Sequence, residues 1–154
     1  MQSAILRVAL LLALAVPAAG GDLAVIVHPA NPLAEVSATE LRAMFLQDRL
    51  FWADGGRIYL VLPASGTREK RMLLAAIYRR DDATLQQFWL EKLYRGEIPS
   101  FPRVASSSAA TRLLVARARY AISVVDLASI DPTVKVLRID GRSPGEPGYL
   151  LADR

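Results

Sequence analysis

Short apolar runs alternate with amphipathic stretches along this chain. Four runs rich in β-branched residues are predicted as strands, over 22–28, 58–62, 120–125 and 134–139. Apolar residues at helical spacing, each stretch preceded by Ser, Thr or Asp, predict helices over 38–46 and 67–79, from Asp81 or Asp82 toward Gly96, and after the serines at 106–108. This alternation predicts a single α/β domain with three layers, α/β/α, in which helices cover the sheet.

The stretches between these elements are predicted as loops. Trp52 lies in a polar loop over 47–56, where a packing role in the core is expected more than a ligand-stacking role. The segment 97–104 contains two prolines and is predicted to be irregular. The Gly- and Pro-rich segment 143–154 is predicted as a flexible surface tail.

The first 21 residues have the layout of a secretory signal peptide. Arg7 supplies the positive charge, the run 8–16 is apolar, and small residues near 18–21 provide a cleavage site. The apolar run is shorter than the roughly 20 residues that span a bilayer. We therefore predict a periplasmic protein whose folded domain covers 22–142.

Composition narrows the chemistry that the chain can perform. The 154 residues include no Cys and one His, His28, so disulfides, thiol catalysis and Cys- or His-rich metal centres are excluded, and no cofactor is expected. His28 lies at a predicted strand end, where an ordinary polar residue is the simpler interpretation. The 19 basic residues exceed the 15 acidic ones only slightly and are scattered, which does not favour nucleic acid. We expect a binding protein and not an enzyme.

The best candidate site is the turn between the strand at 58–62 and the following helix. Ser65 and Thr67 can cap that helix, and Gly66 lets a ligand approach the backbone. Free amides at a helix start attract a small oxyanion, and Arg68 in the first turn could face it. A capped turn that binds nothing is the alternative.

A second cluster of hydroxyl groups precedes the helix that follows residue 108. Ser106, Ser107 and Ser108 could add contacts to an anion, although plain helix capping is the preferred explanation. The adjacent carboxylates Asp81 and Asp82 are better explained as a helix cap than as a catalytic pair.

The order of these motifs resembles the PstS-like phosphate-binding proteins of bacterial ABC importers, which have the type 2 periplasmic binding protein fold. The resemblance covers about 23–140 and rests on Leu41-Arg42-Ala43-Met44-Phe45, Trp52 with Asp54-Gly55, Ser65-Gly66-Thr67-Arg68-Glu69, and Tyr120-Ala121-Ile122-Ser123-Val124-Val125-Asp126-Leu127. It implies one lobe of a two-lobed clamp, phosphate or a related oxyanion as ligand, and a membrane permease as partner.

Some positions depart from the family pattern. Val61 occupies the place of an arginine that pairs with phosphate in the family, and Ser123 replaces a glycine of the return strand. The family's first lobe has no counterpart in the chain. Two interpretations therefore stay open: a non-enzymatic solute-binding protein linked to ABC uptake, or a sensory or partner-binding module that kept the fold without strong ligand binding.

Overall fold

The computed structural model describes residues 21–154. The predicted signal peptide lies outside the described residues, apart from Gly21, and stays a prediction. Within the described part of the chain, no helix is long and apolar enough to cross a membrane.

Within residues 21–154, six strands and four α-helices form the domain. In chain order they are β1 (Leu23–Val27), β2 (Glu35–Val36), α1 (Ala38–Phe45), β3 (Tyr59–Pro63), α2 (Arg68–Leu73), α3 (Asp82–Tyr94), β4 (Arg103–Ala105), α4 (Ser108–Arg117), β5 (Ala121–Asp126) and β6 (Lys135–Ile139). A π-helical turn, Leu74–Tyr78, continues α2, and a 3₁₀ turn, Leu127–Ser129, follows β5.

The strands form one mixed sheet in the order β2-β6-β1-β5-β3-β4. The central strand β1 is antiparallel to β5 and β6, whereas β3 is parallel to β5 and β4. Alternate residues of β1 face opposite sides: Val25 packs in the larger core with α1 and α3, and Ile26 packs in the smaller core with α4. Helices therefore cover both faces, and the predicted three-layer α/β/α architecture is confirmed.

Two short edge strands were not predicted. β4 lies within the segment 97–104, for which an irregular loop was expected, because three residues after Pro102 carry too little alternation to identify a strand. An edge position tolerates the nearby proline, since the outer side of the strand needs no ladder hydrogen bonds. β2 has only two residues and is defined by its pairing with β6.

The expectation of a surface tail over 143–154 is wrong at its centre. Tyr149 and Leu151 are 0% and 1% exposed and belong to the larger core. The Tyr149 hydroxyl donates to the Leu23 carbonyl oxygen at 2.7 Å, and the Leu23 amide donates to the Leu151 carbonyl oxygen at 2.9 Å. An apolar triplet inside a Gly- and Pro-rich segment is enough to fasten this end of the chain to β1.

Candidate functional site

The predicted site lies at the edge of the sheet where three parallel strands end. The Ala64 amide, just after β3, donates to the Ala105 carbonyl oxygen at the end of β4 at 3.1 Å. The turn before α2 and the serines before α4 are therefore neighbours. β5, which is parallel to β3, ends at Asp126 on the same edge. The amino ends of α2 and α4, which carry partial positive charge, therefore lie side by side.

The residues of the turn differ in what they leave free. Ser65 and Gly66 are exposed, and Gly66 has a φ of +83°, a conformation that favours glycine. The Thr67 hydroxyl accepts from the Lys70 amide at 3.2 Å and donates to the Ala64 carbonyl oxygen at 2.7 Å. Thr67 is thus the N-cap of α2, and the open polar groups of the turn belong to Ser65 and Gly66.

Arg68 was expected to face an anion at Ser65. In the structure its guanidinium contacts two carboxylates instead. Its Nη1 lies 3.0 Å from Asp126 Oδ2 and its Nη2 lies 3.1 Å from Asp153 Oδ2. Nη2 also donates to the Gly21 carbonyl oxygen. Two carboxylates, one at a strand end and one in the C-terminal segment, attract the guanidinium and offset much of its charge.

The second predicted cluster joins the first around a small pocket. The Ser107 hydroxyl caps α4 by accepting from the Ala110 amide at 3.0 Å, and Ser106 stays exposed. The Ser108 hydroxyl donates to Glu69 Oε1 at 3.2 Å and accepts from the Asp126 amide at 3.0 Å. The pocket, about 10 Å³, is lined by Pro63, Thr67, Glu69, Ala105, Ser106, Ser107, Ser108, Thr111 and Val124. This is room for about one water molecule, so an anion at this site would lie over the exposed turn and not inside the pocket.

Three carboxylates near the site were not anticipated in their roles. Glu69 is the last residue of the motif Ser65-Gly66-Thr67-Arg68-Glu69, but its position in the pocket depends on contact with α4. Asp126 could have been suspected from its place at a strand end. Asp153 could not, because the segment that carries it was expected to be a free tail.

The exposed turn presents backbone amides and hydroxyl groups, with the Glu69 carboxylate beside the serines that precede α4. Among residues 21–154, no group of three or more His, Asp or Glu side chains could hold a metal ion. His28 lies one residue beyond β1, where its Nδ1 accepts from the Ala30 amide at 3.0 Å. That contact is a local turn and does not connect to the site.

Comparisons with solved structures place the fold. The chain superposes on an ABC-type phosphate transport receptor from Vibrio cholerae with a TM-score of 0.66 and 16% identity, covering 80% of this chain and 48% of the receptor. PstS from Borrelia burgdorferi gives a TM-score of 0.63 and 13% identity, over 80% of this chain and 49% of that protein. The chain has the fold of one periplasmic binding protein lobe.

This likeness confirms the predicted resemblance at the level of the fold. The chain spans about half the length of these structural neighbours, as expected for one of two lobes. No family model matches the sequence, and no curated protein matches it either.

Proposed function

We propose that this protein is a non-enzymatic solute-binding protein that holds a small oxyanion, phosphate foremost, at the edge formed by β3, β4 and β5. The observation that carries the proposal is the meeting of the amino ends of α2 and α4 beside an open Ser65-Gly66 turn. The Ser65 hydroxyl and the amides of Ser65 and Gly66 are the main donors. Thr67 positions the turn, Arg68 adds a partly neutralised positive charge, and Ser106 to Ser108 complete the opposite wall.

Glu69 gives the proposed site a preference among oxyanions. A carboxylate accepts a hydrogen bond from an anion that still carries a proton and repels one that carries none. Phosphate retains a proton at neutral pH and sulfate does not. We therefore propose that phosphate binds more tightly than sulfate, with its proton directed toward Glu69.

The proposed setting is the periplasm, with export directed by 1–21 and with an ABC permease as partner. The folded domain is proposed to begin near residue 22 and to include the segment up to Ala152. A single lobe leaves one side of the anion in water, which weakens every hydrogen bond to it. Affinity is accordingly expected to be modest unless a second protein lobe closes over the turn.

Thermal unfolding in the presence of oxyanions tests this proposal. Phosphate should raise the melting temperature, and at 100 times the dissociation constant the gain in stability should be about 2.7 kcal/mol. Ser65→Ala should reduce the shift, whereas the exposed loop variant Ser100→Ala should keep it. Sulfate, phosphonate and molybdate complete the panel at matched ionic strength. The absence of any shift up to millimolar concentrations would exclude the site.

The neutralisation of Arg68 by Asp126 and Asp153 favours a second candidate function. A lobe whose cation is already paired could serve as a sensory or accessory module that binds a membrane protein. In that case none of the oxyanions should raise the melting temperature. Crosslinking in cells should then recover one defined membrane partner, and a monomer that crosslinks to nothing would contradict this alternative.

A further inference from the structure

A second, larger pocket lies away from the turn, between α1, the π-helical turn and the C-terminal segment. It has a volume of about 340 Å³ and is lined in part by Arg42, Met72, Arg79, Leu150, Asp153 and Arg154. This volume falls within the range of small-molecule sites in proteins, roughly 300–1,000 Å³. The segment that closes it is the one fastened to β1 through Tyr149 and Leu151.

The charge of this pocket is positive. Arg42 comes from α1 and Arg79 follows the π-helical turn, and both line the pocket together with Arg154. Asp153 is the carboxylate side chain in the lining, and its Oδ2 lies 3.1 Å from Arg68, on the side of the turn. A guanidinium presents planar donors that match carboxylate and phosphate oxygens, so the lining favours an anionic ligand.

Arg42 has a buried donor without a partner. Among the described residues, no acceptor lies within hydrogen-bond distance of its Nε, which is closed off from solvent by the protein. Its Nη2 reaches the Ala76 carbonyl oxygen only at 3.5 Å, the outer limit of a hydrogen bond. Because the Nε is enclosed by protein, a ligand in the pocket would meet the Nη groups of Arg42, of which Nη2 is only weakly bonded.

The wall of the pocket is built from unusual backbone. In the π-helical turn, the Arg79 amide donates to the Leu74 carbonyl oxygen at 2.6 Å, and Arg79 adopts a φ of +52° that non-glycine residues rarely accept. The Tyr78 hydroxyl donates to the Phe45 carbonyl oxygen at 2.7 Å and fastens this turn to α1. Single π-helical turns and left-handed residues concentrate at functional sites, where the fold maintains them against their cost.

The remaining lining is apolar. Met72, Ala75 and Leu150 contribute hydrocarbon surface beside the two guanidinium groups. A hydrated inorganic ion would leave that surface unused, whereas a molecule with a short carbon skeleton and anionic oxygens would cover it. We propose that this pocket binds a small organic dianion, whose charged oxygens accept from Arg42 and Arg79 and whose carbon skeleton packs on Met72 and Leu150. The site is distinct from the turn at Ser65 and does not depend on it.

Isothermal titration with succinate, malate and glycerol 3-phosphate, each against sodium chloride of equal ionic strength, tests this proposal. At least one of the three should bind the wild-type protein, and Arg42→Gln and Arg79→Gln should each weaken that binding about tenfold or more. Arg117→Gln, an exposed arginine of α4 on the other face of the sheet, is the matched control and should bind like wild type. The three probes distinguish carboxylate from phosphate chemistry.

Two further comparisons between variants separate the possible outcomes. Ser65→Ala should retain the organic dianion while its response to inorganic phosphate weakens, so that the two sites can fail independently. Arg79 is exposed, and its substitution therefore tests the pocket even if Arg42→Gln fails to fold. The proposal is overturned if none of the three dianions binds, or if binding to Arg79→Gln equals binding to wild type.

Discussion

Two neighbouring carboxylates determine how much positive charge Arg68 contributes to the turn. Its side chain is about one quarter exposed, and its guanidinium lies between Asp126 and Asp153, of which Asp153 is the more exposed. Ion pairs at this exposure contribute little to stability, but they hold the guanidinium in one place and lower the positive potential at the turn. The proposed oxyanion site should therefore respond to the loss of a single carboxylate.

Asp153→Asn should tighten phosphate binding about twofold, because removal of one charge at a partly exposed pair is worth roughly 0.5 kcal/mol. Phosphate titrations of the wild type and the variant provide the measurement. The double variant Ser65→Ala/Asp153→Asn should lose the gain, since the gain acts through the turn. Unchanged affinity in Asp153→Asn would show that Arg68 has no influence on the ligand.

Ser123 shows what a residue-level departure from the family pattern does in this fold. The side chain is fully buried in β5, and its hydroxyl donates to the Val61 carbonyl oxygen of β3 at 2.6 Å. Val61 and Ser123, two of the positions that differ from the pattern of the phosphate-binding family, are therefore in contact with each other. The serine supports the sheet beneath the turn, and its hydroxyl does not reach the end of the strands where the turn lies.

Ser123→Ala should lower the free energy of unfolding by about 1 kcal/mol, the usual value of one buried hydrogen bond. Ser123→Gly, which restores the family glycine, should cost about 2 kcal/mol because it also loosens the strand. Urea unfolding measures both. A glycine variant as stable as the wild type would mean that the hydroxyl contributes nothing to the sheet.

At the scale of elements, sequence reasoning succeeded where local signals were strong. α1 has a complete capping box in which Ser37 accepts from the Glu40 amide and Glu40 accepts from the Ser37 amide, and its predicted bounds differ by one residue from those observed. The four strands with continuous apolar runs were also located within one or two residues. Such elements are encoded by neighbouring residues alone.

Elements that depend on distant partners were missed. β2 exists because it pairs with β6, and the π-helical turn interrupts a sequence that is periodic enough to predict an unbroken helix over 67–79. The same limit applies to the candidate site. The turn at Ser65 and the serines at 106–108 could each be proposed as binding residues from the sequence. Their proximity, and the pairing of Arg68 with Asp126 and Asp153, are visible only in the folded structure.

The C-terminal segment gives the clearest test at this scale. A chain that ends at Gly148 should lose about 3–6 kcal/mol of stability, because burial of Tyr149 and Leu151 contributes about 1.5–3 kcal/mol each. A chain that ends at Ala152 is the control and should retain most of the stability, since it keeps both side chains. Denaturant unfolding measures the difference. Equal stability of the two truncated chains would restore the surface-tail interpretation.

The whole molecule should become less stable at alkaline pH. Burial raises the pKa of Tyr78 well above its ordinary value, and burial together with the nearby Asp22 charge raises the pKa of Tyr149. Unfolded tyrosines lose their protons near pH 10, whereas these two keep theirs in the folded state. Their contribution is therefore complete below about pH 10 and is lost as the pH rises above it.

Urea midpoints between about pH 8 and about pH 11 should fall with rising pH, and the fall should be shallower in Tyr149→Phe. The phenylalanine variant loses the hydrogen bond to Leu23 and should start from a lower stability at pH 8, by about 1 kcal/mol. Other groups that titrate in this range affect both proteins alike. Equal slopes in the two proteins would contradict the assignment to Tyr149.

The oxyanion site that we propose where α2 and α4 begin is tested most directly by the backbone amide resonances, followed while phosphate is added at constant ionic strength. Saturable shifts should be largest at Ser65, Gly66 and 106–108, and Ser65→Ala should weaken them. Shifts that never saturate, or that spread evenly over the protein and leave the turn unchanged, would contradict the account.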